Sequence, residues 1–251
     1  MIRVAAVGDL HIGNDGSARW RDALKSVSDE ADLLLLAGDL TRVGAVAEAR
    51  AVATALELVS IPIFAVLGNH DYHDGCDFEL CRILAARGAR VLEGTAAELE
   101  VGGARIGIAG SKGFGGGFAN ACGSDFGEPE MKAFIRHTAA LAAGLRGALE
   151  SLDVDLRVAL LHYAPIPGTL RGEQLQIYPF LGSYLLGEAV DAAGADLVVH
   201  GHAHSGSEKG VTPGGISVRN VAQPVIRSAY RVYCLSGRGE VECAERAAHA
   251  G

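Results

Sequence analysis

Five places in the chain combine residue types and spacings suited to chemistry. The apolar run at 2–7 breaks directly into Gly8-Asp9-Leu10-His11, and a second run, 33–37, ends in Gly38-Asp39. A third, 63–67, ends in Gly68-Asn69-His70-Asp71. Further along, a strand pattern at 156–162 ends in His162, and one at 196–200 leads into His200-Gly201-His202-Ala203-His204. An Asp after Gly at a strand end is commonly only a cap or turn residue. Repetition at five strand ends argues for more. In a parallel sheet the carboxyl ends emerge along one edge, where α/β proteins place their sites. Gathered there, Asp9, Asp39, Asn69 and the imidazoles are costly to bury without a cation. Oxygen and nitrogen donors without thiolate favour Mn, Fe, Zn, Ni or Co over an all-oxygen calcium site. Asp9 and His11 are two residues apart and point the same way if the chain is still extended there; the same spacing recurs at His202 and His204.

Taken in order, Asp-x-His, Gly-Asp, Gly-Asn-His-Asp, His and Gly-His-x-His strongly resemble the calcineurin-like metallophosphoesterase superfamily. All five blocks lie between residues 8 and 204. The resemblance implies an α/β protein with a four-layer α/β/β/α sandwich, two mixed sheets packed face to face. It also implies hydrolysis of a phosphate ester at two divalent metal ions. Carried over by position, Asp9, His11 and His204 would hold one metal, Asn69, His162 and His202 the other, and Asp39 would bridge both. His70 would be the catalytic imidazole beside the phosphate, and Asp71 would orient it. Two cations about 3.5–4 Å apart clamp a phosphate and lower the pKa of a shared water, whose hydroxide attacks phosphorus in line. Histidine suits proton delivery to the leaving oxygen because imidazole ordinarily titrates near neutrality. The expected substrate is a small phosphodiester, because the chain is compact and has no nuclease-type extra domain. A phosphomonoester, as for a nucleotidase or protein phosphatase, comes next. A non-catalytic scaffold with this fold would be expected to lack His70 or a ligand, and neither is missing.

The elements that must position these residues follow from hydropathy patterning. The first half alternates continuous apolar strands (2–7, 33–37, 63–67) with helical patterns at 18–30, 45–59 and 77–87, which predicts parallel βαβ units covered on both faces. Residues 97–109 read as a hairpin turning at Gly102-Gly103. Residues 111–129, rich in Gly and polar types, read as a long loop or lid. Then come a helix at 130–151, an irregular stretch at 163–181, a helix at 184–193, and antiparallel strands from 206 onward. The whole is expected to form a single domain over 1–251, with a disordered tail at 244–251.

Other features carry less. His200, at the end of a buried strand, is expected to be packed; His73 could line the pocket or sit on the surface; His137 and His249 look incidental. Gly110-Ser111-Lys112-Gly113 lacks the order of a nucleotide-triphosphate loop. From the loop, Lys112, Phe114 and Phe118 could reach a substrate. Tyr163, next to His162, and Arg171 are further candidates, so the substrate-binding set is Lys112, Tyr163 and Arg171. With 22 Lys+Arg against 30 Asp+Glu the formal charge is −8, which disfavours extended nucleic-acid binding. The partner that the resemblance implies is a small phosphoester substrate, and no apolar run is long enough for a membrane helix. The five scattered cysteines form no Cys-x-x-Cys pair and are expected as free thiols. A strand pattern beginning at Ile2 leaves no room for a leader, so a cytoplasmic location is expected.

Overall fold

The computed structural model describes residues 1–237 and the backbone of 239–241, so the tail expected at 244–251 lies outside the described residues. The first half follows the predicted alternation. Strand β1 (Ile2–Val7) leads to helices α1 (Ser17–Leu24) and α2 (Val27–Glu30), β2 (Leu33–Ala37), α3 (Val46–Ala55), β3 (Ile63–Val66), α4 (Asp77–Ala86) and β4 (Ala89–Val91). The helix expected at 18–30 is broken in two at Lys25-Ser26, where the Ser26 hydroxyl bonds the Tyr230 hydroxyl at 2.8 Å. Trp20, Leu24 and Val27 still share one buried face.

The chain then crosses to a second sheet through β5 (Thr95–Val101) and β6 (Ala104–Ser111). The stretch expected as a loop holds a small antiparallel ribbon, β7 (Gly117–Phe118) with β8 (Ala121–Cys122). After it come α5 (Pro129–Glu150), β9 (Leu156–Leu161), α6 (Tyr178–Leu181), α7 (Tyr184–Ala193) and β10 (Leu197–His200). Last are β11 (Lys209–Val211), β12 (Ser217–Asn220), α8 (Gln223–Ile226), β13 (Arg231–Ser236) and β14 (Gly239–Val241).

Two six-stranded sheets result, ordered β14-β13-β1-β2-β3-β4 and β11-β12-β10-β9-β6-β5. Strands β1 to β4 are parallel; at one side β13 runs antiparallel to β1, and β14 antiparallel to β13. In the second sheet β6, β9, β10 and β12 are parallel. This corrects the expectation for the region after 206: β12 runs antiparallel to β11 but parallel to β10, because its Val218 pairs in register with Val198 of the sheet interior.

Strand β2 shows why unbroken apolar runs are needed. All five residues are buried: Leu33, Leu35 and Ala37 face the layer between the sheets, and Leu34 and Leu36 face the helices. The inter-sheet layer joins Ile2, Val4 and Phe64 of the first sheet to Ile108, Val158 and Val199 of the second. A third layer packs α5 and α7 on the outer face of the second sheet through Leu145, Leu149 and Leu186. Helix, sheet, sheet and helix therefore stack as four layers, in agreement with the expected α/β sandwich. Among the described residues no helix is long and apolar enough to cross a membrane. Cys76, Cys81 and Cys122 are free, whereas Cys234 is disulfide-bonded, which corrects the expectation of free thiols throughout.

Candidate metal centre

The donors sit where strands stop. Asp9, His11, Asp39 and His202 have φ of 59°, 44°, 50° and 68°, the left-handed region that residues with side chains seldom adopt. The chain is therefore not extended through Asp9 and His11, so the condition under which their spacing would align them is not met. The loops after β1 and β2 instead run side by side: Asp9 N–H donates to the Gly38 carbonyl at 2.9 Å and His11 N–H to that of Asp39 at 3.0 Å. Each such conformation costs on the order of 1–3 kcal/mol, and such residues cluster at functional sites. A methyl group at Gly68 would overlap the Asp39 carboxylate, and one at Gly201 would overlap that of Asp9, so glycine lets these strand ends close on the acids.

Asp9, His11, Asp39 and His204 bring one donor atom each within 4.8 Å of one another, and so do Asp39, His162 and His202. Asp39 belongs to both groups. Asn69 joins the second, its Oδ1 lying 3.0 Å from His162 Nε2. His70 stands beside the shared acid. Its N–H donates to Asp39 Oδ1 at 2.9 Å, and its Nε2 is 3.9 Å from Asp39 Oδ2.

Hydrogen bonding decides which atom each ring presents. Nδ1 of His162 is 2.8 Å from the Ala37 carbonyl, which can only accept, so that nitrogen carries the proton. In the neutral ring Nε2 is then a lone pair, aimed at Asp39 Oδ1 (3.4 Å) and Asn69 Oδ1. His202 Nε2–H donates to the Phe180 carbonyl at 3.2 Å, freeing Nδ1. Nε2 of His11 is buried with no hydrogen-bond partner among the described residues. Converging lone pairs and an orphaned buried nitrogen are unfavourable by themselves and become favourable around a cation. The residues present thus fit two divalent metals.

Electrostatics point the same way. Burial alone would raise the Asp9 carboxyl, but the His204 hydrogen bond (2.8 Å), nearby imidazoles and the His202 N–H hold it below the ordinary carboxylate range. Burial pushes His202 down to about 3, and burial also lowers His11 against the pull of Asp39 and Asp9. Neutral imidazoles are the ligand form. His204 is raised, chiefly by its bond to Asp9.

The hydrogen bonds of Asp71 go to backbone and to Thr41 rather than to the His70 ring. Its buried carboxylate accepts from the N–H groups of Leu40 (3.2 Å), Thr41 (2.8 Å) and Gly68 (2.8 Å) and from the Thr41 hydroxyl (2.6 Å). It thereby ties the loop after β2 to the loop after β3. The ring of His70 is held instead by the Arg42 carbonyl, which accepts from Nδ1 at 2.7 Å. A backbone carbonyl has no sequence signature, so this partner could not be read from residue types.

Lys112 and Tyr163 border the second group. The Lys112 ammonium lies 4.8, 4.9 and 5.7 Å from the rings of Phe114, Tyr72 and Tyr163, and the Tyr163 ring is 4.3 Å from that of His202. Burial lowers Lys112 against the attraction of Glu93 and Asp39. Arg171 is exposed, and the bond it makes is through its carbonyl, which accepts from the Ser207 hydroxyl. Phe118 is buried with Leu170 and Leu181 and is a packing residue. His200 is buried as expected, Nδ1 donating to the Gly201 carbonyl and Nε2 bonding the Thr169 hydroxyl, and burial lowers it to about 4. His73 is exposed. Glu93 belongs to no motif in the sequence, yet it accepts from the Ser111 hydroxyl (2.9 Å) and the Lys112 N–H (3.0 Å) at the end of β6.

The calcineurin-like phosphoesterase family model matches residues 2–206. No curated protein matches the sequence significantly. Among solved structures, the chain is similar to phosphopantetheinyl hydrolase from Mycobacterium tuberculosis (TM-score 0.66, 16% identity, 91% of this chain and 94% of that one). It is also similar to a putative 5′-nucleotidase from Staphylococcus aureus (0.58, 14%, 95% and 52%) and a phosphatase from Mycoplasma pneumoniae (0.51, 14%, 89% and 72%). At these identities the structural likeness speaks for the fold.

Proposed function

Because the chain belongs to the calcineurin-like phosphoesterase family, we propose that it hydrolyses a small phosphate ester at a pair of divalent metal ions. Asp9, His11 and His204 hold one, Asn69, His162 and His202 the other, and Asp39 both. The observation that carries this reading is the sharing of one carboxylate by two donor groups, beside an imidazole nitrogen that has no partner. When bound, such a pair neutralises phosphate charge and makes water acidic enough to serve as nucleophile near neutral pH. Mn, Fe, Zn, Ni or Co fits the donor set.

His70 moves the proton. With Nδ1–H committed to the Arg42 carbonyl, Nε2 faces Asp39 and is the atom able to pass a proton to a leaving oxygen. Asp71 acts on backbone, fixing the loops that carry Asp39 and His70. Lys112 offers a cation to the phosphate and Tyr163 an apolar wall with a hydroxyl. Arg171 has no contact that supports its part in this set.

A small phosphodiester is the favoured substrate. A phosphomonoester is the second reading, favoured by the nucleotidase and phosphatase names of two structural relatives. The protein loaded with Mn²⁺ and assayed on p-nitrophenyl phosphate and bis(p-nitrophenyl) phosphate decides between them. Faster turnover of the diester supports the first reading. No turnover of either, with two metals bound per chain, rejects hydrolysis of simple esters.

A further inference from the structure

The geometry points to a second anion site: we propose that a groove leading from His11 past Arg42 and Arg19 to Arg227 binds a second phosphate, carried by the same small substrate. The inference rests on the phosphoester reading above. A cleft of about 350 Å³ opens beside His11 and is walled by Gly13, Arg19, Trp20, Arg42 and Gln223. A second cleft of about 240 Å³ shares Arg19, Trp20 and Gln223 with the first and reaches Arg227. Clefts with three common walls form one groove, and it starts at the first donor group.

Among the described residues, the cations of this groove have no counter-charges. Several arginines elsewhere on the surface pair with acids, Arg21 with Glu57, Arg82 with Glu79, Arg136 with Asp125 and Arg146 with Glu150, whereas Arg50 and Arg171 stand singly rather than gathered in one groove. Among the described residues, no carboxylate pairs with the side chain of Arg19, Arg42 or Arg227. Asp15 is the one acidic residue lining the groove, and it forms no ion pair with them. In a chain of formal charge −8, three unpaired guanidinium groups along one groove are not the by-product of a basic surface.

The backbone makes room for the first of them. A methyl group on Gly13 would come within 2.8 Å of Arg42 Nη2 and 2.9 Å of Cζ, so the guanidinium lies against the bare backbone of the loop that carries His11. The same residue holds the His70 ring through its carbonyl, which links the groove to the acid–base group. At the far end Arg227 sits at φ 51°, its N–H donating to the Gln223 carbonyl at 2.8 Å. Planar guanidinium forks match phosphate oxygens two at a time, and a tetrahedral dianion suits a site with several such forks better than a lone carboxylate does. The substrate class is therefore a small molecule with two phosphates, one cleaved at the donor groups and one held in the groove.

Binding of uncleavable probes tests this without turnover. Alkane bisphosphonates of graded length and the matching alkyl monophosphonates are titrated calorimetrically into the Mn²⁺-loaded protein. The best bisphosphonate is expected to bind about tenfold tighter than its monophosphonate, the worth of one charge-assisted hydrogen bond. The advantage should shrink in high salt. It should vanish in Arg19→Ala and in Arg227→Gln, exposed positions that can change without unfolding the chain, return in part with Arg19→Lys, and survive Arg136→Ala. Equal affinity for both probes at every length, or an advantage kept in both arginine variants, overturns the groove. A protein that cleaves aryl phosphates but gives that result leaves the hydrolase reading standing. One that favours bisphosphonates but cleaves nothing supports the groove and fails the hydrolase reading.

Discussion

The two sheets contribute unlike donors to the same centre. Strands β1, β2 and β3 of the first deliver every oxygen donor, namely Asp9, Asp39 and Asn69, together with His11 and His70. Strands β9 and β10 of the second deliver imidazoles alone: His162, His202 and His204. The first sheet's acids are fixed by backbone, Asp9 by the His202 N–H and Asp39 by that of His70. The second sheet's rings are fixed by carbonyls, Ala37 for His162 and Phe180 for His202. Two of these four supports, His202 N–H to Asp9 and His162 to the Ala37 carbonyl, cross from one sheet to the other. Neither half assembles the centre alone, so its geometry depends on face-to-face packing.

Breaking the shared acid is the severest test of that dependence. Asp39→Ala is expected to lose both metals and lower turnover on the order of 10³-fold or more, as when one member of a catalytic unit is removed. His162→Ala, from the other sheet, should lose one metal and keep the other. Metal analysis after saturation distinguishes them, and equal losses would show that the halves are not separable in this way. Next in size, His70→Ala should keep both metals and slow turnover on the order of 10²-fold or more. Turnover close to wild type would remove His70 from proton transfer.

Asp71 sharpens the contrast, because it lies in the first sheet's loops yet meets neither the donors nor the His70 ring. In Asp71→Ala three buried N–H groups lose their acceptor, at roughly 1–3 kcal/mol for each donor left unpaired, so stability should fall by about 3 kcal/mol or more. Urea denaturation reads this. A variant as stable as wild type but inactive would return Asp71 to a role in orienting His70.

The smallest effect concerns Glu93, which crosses between the sheets to bond Ser111 and Lys112. Burial raises its carboxyl above the ordinary 4.5, against its bonds to Lys112 and Ser111. A folded value above the unfolded one gives stability that is present below pH 4.5 and lost as pH rises through the folded value. Glu93→Gln should therefore gain in melting temperature relative to wild type as pH rises from 4.5 towards 7. A difference that stays flat with pH would contradict the raised carboxyl.

Much of this was legible in the residues. Runs such as Leu33–Ala37 are buried on both faces, and only a strand between two layers accommodates that, so β2 matches its expected bounds. The types and order of the donors were legible too, because carboxylate, amide and imidazole are chemical identities that folding does not change. The partner of the His70 ring was not, since a carbonyl belongs to every residue. Nor was the break at Lys25-Ser26, where the Ser26 hydroxyl meets that of Tyr230 some two hundred positions away.

By itself, then, the sequence determined the parallel strands, the alternation of helices, and the set of side chains able to bind metal. Tertiary structure decided how those side chains meet: the left-handed turns at Asp9, His11, Asp39 and His202, the use of Asp71 on backbone, and the unpaired arginines along one groove. The physical reason is range. Hydropathy and donor chemistry are properties of single residues and their near neighbours. Backbone strain and hydrogen-bond partnership at this centre are imposed by loops and sheets that pack together from distant parts of the chain.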